Sequence, residues 1–287
     1  MTDLFLPAGR AAADGYDVAV TPESAGWGYS SLRVLTLPPG GRRAIDSGDD
    51  EVFVVPLAGS AEVECDERVF TLEGRPNVFA GPSDFAYVPI DSTFTMSSLE
   101  GGRFALAGAR TDRALEFRYV PREDVAVELR GAGQCSREVR NFGAAGAFDA
   151  GKAIACEVVT PSGNWSSYPA HKHDEQSDTE SELEEIYYFE IASGPDGQPG
   201  FGFHRTSSSP AGEIDVLVDV HQGDTALVPY GWHGPCVAGP GFDMYYLNVM
   251  AGPAPERAWK ISDHPDHAFV RDTWADQPID PRLEGGS

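Results

Sequence analysis

The sequence predicts an all-β chain built from two similar units, and three observations carry that expectation. Long helical periodicities are hard to find, turn residues are dense, and one strand-and-turn pattern occurs twice. With 32 Gly and 22 Pro in 287 residues, short β-branched and aromatic runs are closed off at intervals that suit strands. The length fits one large β domain or two of roughly 140 residues, enough for a substantial core.

Taken in order, the first strand with a clear signature is Glu51-Val-Phe-Val-Val-Pro-Leu-Ala-Gly59, an acid leading an apolar run into a glycine turn. Glu185-Ile-Tyr-Tyr-Phe-Glu-Ile-Ala-Ser-Gly194 has the same form 134 positions later. Asp84-Phe-Ala-Tyr-Val-Pro89 likewise matches Asp224-Thr-Ala-Leu-Val-Pro229 at an offset of 140. Two elements recurring in the same order define a first unit over residues 1–140, a second over 141–260 and a C-terminal tail over 261–287.

Charge and composition then exclude whole classes of partner. Lys and Arg total 21 against 45 Asp and Glu, a formal net charge of −24, the wrong sign for a phosphate backbone or an anionic lipid surface. Apolar stretches such as Val52 to Ala58 are far shorter than the ~20 residues that span a bilayer. Neither nucleic acid nor membrane is expected as a partner. Asp3 and the short apolar stretch at the N-terminus do not form a secretory signal, and Cys65, Cys135, Cys156 and Cys236 are widely spaced without a CxxC pair. These features fit reduced thiols in a cytoplasmic protein.

The two units differ in chemistry. All seven histidines follow residue 170, and the position matching His233 in the first unit is Thr93. In Trp165-Ser-Ser-Tyr-Pro-Ala-His-Lys-His-Asp174, His171 and His173 are two apart, so a strand turns both imidazoles to one face and Lys172 to the other. Glu185 opens the next strand, sharing a face with Tyr187 and Phe189, and His233 follows a strand with a proline turn. Three imidazoles and a carboxylate suit a divalent first-row ion, with Zn, Mn and Fe all acceptable, and leave room for water or substrate. Glu184 rivals Glu185 as the carboxylate, because the acidic segment 174–184 intervenes after His173; Glu185 is preferred because Glu-Ile-Tyr-Tyr repeats the form of Glu51-Val-Phe-Val. That segment is read as a solvated loop, with an active-site lid as the alternative. His204, His221, His264 and His267 show no spacing that ties them to the cluster, and the last two lie in a polar tail loop.

The HxH, Glu and distal His resemble the metal-binding motifs of the cupin superfamily. A closer resemblance lies in Ser166-Ser-Tyr-Pro-Ala-His-Lys-His-Asp174, Leu183-Glu-Glu-Ile-Tyr-Tyr188, Gly200-Phe-Gly-Phe-His-Arg205, Asp243-Met-Tyr-Tyr-Leu-Asn-Val-Met-Ala-Gly252 and Trp259-Lys260. Together these resemble the uronate isomerase family that holds 5-deoxy-glucuronate isomerase of inositol catabolism and 4-deoxy-5-ketouronate isomerase. The resemblance implies a bicupin, two double-stranded β-helix (jelly-roll) barrels in one chain, with one divalent ion in the second barrel, held by His171, His173, Glu185 and His233. It implies aldose-ketose isomerisation of a small sugar acid, 5-deoxy-glucuronate to 5-dehydro-2-deoxy-gluconate, through a metal-stabilised enediolate. Homo-oligomers are common among cupins, so one is an expectation here. A carboxylate substrate calls for a cation, with Arg205 and Lys260 as candidates, and Tyr187 and Tyr245 are candidate proton donors or relays, with Tyr246 beside them. The alternatives are the sister reaction on 4-deoxy-5-ketouronate, an Fe(II) cupin dioxygenase and a non-catalytic sugar-binding bicupin.

Overall fold

A computed structural model describes residues 3–283. The strand Asp50–Cys65 organises the first unit. Its alternation sends Val52 and Val54, and later Ala61 and Val63, into one core, while Phe53, Val55 and Leu57 enter another. The first half pairs with Phe85–Val88 and Gly102–Arg110, the second with Arg68–Arg75 and Thr93–Ser98. The strand changes partners at Gly59, which has φ 88° and where a Cβ would lie 2.5 Å from the Gly101 carbonyl oxygen. Glycine is required at that bend. The result is a β barrel whose interior holds Val52, Val54, Val63, Phe94, Met96 and Phe104.

The second unit is a sandwich of two sheets rolled into a barrel. One sheet runs Phe5–Leu6, Thr225–Val228, Glu184–Ile191, Met244–Ala251, Ile154–Thr160, Arg137–Gly143 and Val127–Arg130. The other contains Gly212–Val220, Gly202–Ser209, Trp232–Ala238, His171–Lys172 and Ser262–Asp263, with Trp165–Ser166 paired at its side. All eight residues of Met244–Ala251 are buried, because one face meets the barrel interior and the other meets the first unit. Tyr187, Phe189, Tyr246 and Met250 point inward. Ile186, Tyr188, Tyr245 and Leu247 join Phe53, Tyr87 and Ala107 in a core shared by the two barrels.

Two carboxylates latch that shared face. Glu51, fully buried, accepts hydrogen bonds from the amides of Gly151, Lys152 and Ala153 at 2.5–2.7 Å and from the Tyr87 hydroxyl at 2.6 Å. Glu184 makes the reciprocal contact, accepting from the amides of Gly28, Tyr29 and Ser30 at 2.6, 2.9 and 3.0 Å. Each barrel therefore caps the chain of the other with charge-assisted bonds. The chain start crosses over as well, since Phe5 and Leu6 pair with Ala226 and Thr225. The α-helices among the described residues are the single turns Pro22–Ala25 and Val270–Thr273, and no helix there is long and apolar enough to cross a membrane.

Candidate metal centre and active-site cavity

The second barrel brings the HxH pair, the distal histidine and Glu185 together. His171 lies directly across the antiparallel ladder from His233. One nitrogen from each of His171, His173 and His233 lies within 4.8 Å of the others, and all three residues are buried. Glu185 Oε2 is 3.0 Å from His173 Nε2 and 3.1 Å from His233 Nε2.

The tautomers follow from the backbone. Nδ1 of His171, His173 and His233 faces the carbonyl oxygens of Pro169, Leu183 and Gly231 at 3.3, 3.0 and 3.0 Å. A carbonyl only accepts, so each Nδ1 carries hydrogen, which leaves Nε2 as the nitrogen that each neutral ring offers to a metal. His233 Nε2 is buried without a hydrogen-bond partner, an orphaned donor atom of the kind a bound ion satisfies. Burial and the two neighbouring imidazoles push His171 well below its ordinary pKa, which keeps it neutral. Burial alone would raise the Glu185 carboxyl and lower His173. The imidazoles of His233 and His173 instead hold Glu185 far below the usual carboxylate range, and the hydrogen bond to Glu185 raises His173. Imidazoles that give up their Nε2 proton on metal binding, together with an ionised carboxylate, fit a divalent cation.

Glu184 and Glu185 have separate tasks. Glu185 pairs with Val228 across one ladder, and Val52 pairs with Val88 across the corresponding ladder of the first barrel. Glu184 opposes Ala251 as Glu51 opposes Ala109. The true counterpart of Glu51 is therefore Glu184, one residue from the sequence alignment, and Glu185 corresponds to Val52. Preferring Glu185 on its likeness to Glu51 used a register that the structure corrects.

Beside the imidazoles is a cavity of about 360 Å³, lined by His171, Glu185, Tyr187, Tyr246 and Asn248 on the cluster side. Arg130, Arg137, Trp259, Asp263 and Arg271 form part of the rest of its wall. The size is that of a small-molecule site. The Ser167 hydroxyl lies 3.1 Å from the Tyr246 hydroxyl and 3.3 Å from that of Tyr187. Burial pushes both phenols above their ordinary pKa, so both carry their proton at neutral pH.

Three of the sequence candidates are not brought to this cavity. Tyr245 points to the opposite face of its strand and donates to Glu157 Oε1 at 2.7 Å, because neighbours on a strand alternate. Glu157 also takes the buried Arg75 guanidinium across the barrel interface. Arg205 is half-buried and reaches Asp215 at 3.7 Å. Lys260 is exposed and donates to the Asp178 carbonyl at 3.3 Å. Sequence reasoning passed over Arg130, Arg137 and Arg271; the first two lie on neighbouring strands at the edge of the large sheet, and the third lies in the segment read as tail. That tail takes part in the fold, since Ser262–Asp263 pairs with His171–Lys172.

The acidic segment is a folded turn. Lys172, directed away from the imidazoles, donates to Asp174 Oδ1 and Glu180 Oε1, each at 2.7 Å. Asp174 accepts the Gly231 amide at 2.9 Å, which ties the segment to the turn before His233. His204, left outside the site by its spacing, lies inside the barrel with its ring 4.9 Å from that of Tyr187.

Comparison with known proteins gives this geometry a family. Residues 4–270 match the KduI/IolB family. A protein of Geobacillus kaustophilus named 5-deoxy-glucuronate isomerase is 37% identical over 278 residues, covering 95% of this chain and 97% of its own. The crystal structure of an IolB-like protein from Salmonella typhimurium LT2 superposes with a TM-score of 0.85 at 30% identity, covering 93% of this chain and 99% of the other. Oxalate decarboxylase of Lactobacillus farciminis, at 13% identity and TM-score 0.61 over 92% of this chain and 89% of that one, shares the fold. The architecture is that of a bicupin, as the motifs led us to expect.

Proposed function

We propose, from the premise that this chain belongs to the KduI/IolB family and is an isomerase, that it converts 5-deoxy-glucuronate to 5-dehydro-2-deoxy-gluconate in inositol catabolism. The observation that carries the reading is the set of three buried imidazoles, each fixed through Nδ1 on a backbone carbonyl, converging with Glu185 at the wall of a sugar-sized cavity. His171, His173, Glu185 and His233 would hold one divalent ion, with Zn, Mn and Fe all compatible. Such an ion would supply Lewis acidity toward the sugar's carbonyl group.

The chemistry moves the C2 hydrogen to C1 and the O2 proton to O1, with no oxidant or reductant. The chain contributes orientation and proton supply. Tyr187, Ser167 and Tyr246 form a row of hydroxyls at the cavity wall, and their neutral phenols hold protons for return to the sugar oxygens. The Nδ1 bonds to Pro169, Leu183 and Gly231 keep the imidazoles from turning. A cytoplasmic location fits four thiols that are free of disulfides.

The test is a proton NMR time course of the metal-analysed protein with 5-deoxy-glucuronate in deoxygenated D₂O, before and after chelation. Conversion of aldose to ketose signals, stopped by chelator and restored by divalent ion, is the expected result. A metal-loaded sample that leaves the sugar unchanged would overturn the reading.

A further inference from the structure

The cavity gathers positive charge in a chain whose formal net charge is −24. Guanidiniums of Arg130, Arg137 and Arg271 all reach its wall. Two of them are already engaged. Arg130 meets Glu128 with bonds of 3.1 and 2.7 Å, and Arg271 donates to Asp263 Oδ1 at 2.7 Å. Arg137 differs from both. Its residue is only 5% exposed, its Nη1 donates to the Cys135 carbonyl at 3.0 Å, and among the described residues no carboxylate comes within ion-pair distance of it.

A guanidinium has five donors, so one carbonyl leaves most of its capacity unmet in a buried place where a charge without a partner is costly. Burial, with repulsion from Arg130 and Arg271, pulls its pKa down to about 10. It still carries a full charge at neutral pH. Its surroundings are built to hold it. The guanidinium of Arg137 sits 5.5 Å from the Trp274 ring centroid, and that of Arg271 sits 5.2 Å from the same ring. Gly131 leaves the space it occupies, because a Cβ there would lie 2.6 Å from Arg137 Nη1. A fixed, buried, planar cation with free donors beside a cavity is the complement of a carboxylate.

We infer that Arg137 receives the carboxylate of the substrate, so that this cavity selects sugar acids over neutral aldoses. The inference rests on the isomerase reading of the same cavity. Arg130 and Arg271 are each neutralised by their own acid, which leaves Arg137 as the arginine of the wall without an acidic partner. The cation search therefore ends on a strand of the large sheet and not at Arg205 or Lys260.

The experiment compares wild type, Arg137→Met and Arg137→Lys on 5-deoxy-glucuronate and on its neutral analogue with CH₂OH at C6. Binding of the unreactive C1-reduced acid is followed by calorimetry. The acid-to-neutral ratio of kcat/KM should fall about 100-fold in Arg137→Met, mostly through KM, and about 10-fold in Arg137→Lys, which keeps the charge without the fork. Arg137→Lys also keeps the test decisive if the methionine variant does not fold. A ratio that moves less than about threefold in an enzyme that does isomerise the acid would overturn the carboxylate assignment and leave the isomerase reading standing. If wild type isomerises neither sugar, that reading fails and calorimetry decides. Binding of the reduced acid by wild type but not by the variants upholds Arg137, whereas equal binding, or no binding by wild type, removes it.

Discussion

The two barrels place the same strand in the same ladder and use it differently. At matching registers the first carries Glu51 and Val52, the second Glu184 and Glu185. The outer acid is common to both and does the same work, closing the amides of the opposite barrel. The inner position separates them. Val52 packs among Val54, Phe94 and Met96, while Glu185 faces His173 and His233. A buried carboxylate is tolerable where cations or cation-binding groups face it and costly where they do not. The fold thus sets the latch, and the residue one step along the strand decides whether a barrel has chemistry.

Breaking the comparison at its sharpest point means giving the second barrel the first barrel's residue. Glu185→Val should lower bound metal to less than about a tenth of an ion per chain and kcat/KM by at least about 10³-fold. Far-UV circular dichroism should stay unchanged, because the first barrel already holds valine at this register. Metal analysis and the NMR assay read both effects. A variant with wild-type metal content and turnover would show that the carboxylate takes no part and that the inner position does not distinguish the barrels.

The latches allow the likeness to be sharpened in the same way. Glu51→Gln replaces an acceptor-only group with one that has two donors, setting an NH₂ against amides or the Tyr87 hydroxyl. The expected loss is ~3 kcal/mol in urea unfolding, with ~2 kcal/mol for the half-buried Glu184→Gln. Both variants should retain turnover per folded molecule, and unfolding should remain one transition, since the shared core of Phe53, Tyr87, Tyr188 and Tyr245 couples the barrels. Two separated transitions would mean that each barrel stands without the other's acid.

What could be read from the sequence depended on how local its physical cause was. His171 and His173 were legible because a spacing of two fixes one face of a strand, and the same alternation directed Lys172 away, where the structure has it on Asp174 and Glu180. The repeat was legible as a repeat but misaligned by one, because two adjacent acids match one. On a strand a slip of one residue exchanges faces. Tyr245 and Tyr246 posed the same difficulty, as both are apolar enough for either side and only the packing of one barrel on the other sends Tyr245 to Glu157. Arg137 lay further out of reach. Its place depends on the pairing of Arg137–Gly143 with Ile154–Thr160 and on the contact of its guanidinium with Trp274, more than 130 positions along. Nothing local in Arg137-Glu-Val-Arg140 says what its arginines face.

The smallest expected effect concerns His204, a buried imidazole outside the group of His171, His173 and His233. Its ring nitrogens meet Thr206 Oγ1 at 3.0 Å and Cys236 Sγ at 3.3 Å. Burial, reinforced by His233, lowers its pKa from 6.5 to about 3. The unfolded chain therefore takes up this proton near pH 6.5 while the folded chain refuses it until near pH 3. Stability from this group is present above 6.5 and is lost as the pH falls through that window. Comparing wild type with His204→Gln, which keeps a hydrogen-bonding side chain without the titration, isolates the term. Between pH 6.5 and 5.5 wild type should lose about 1 kcal/mol more than the variant in chelator-treated samples unfolded by urea. Equal losses would mean that His204 binds its proton in the folded barrel as readily as in water, and that the interior around the imidazoles is wetter than the apolar interior of its partner.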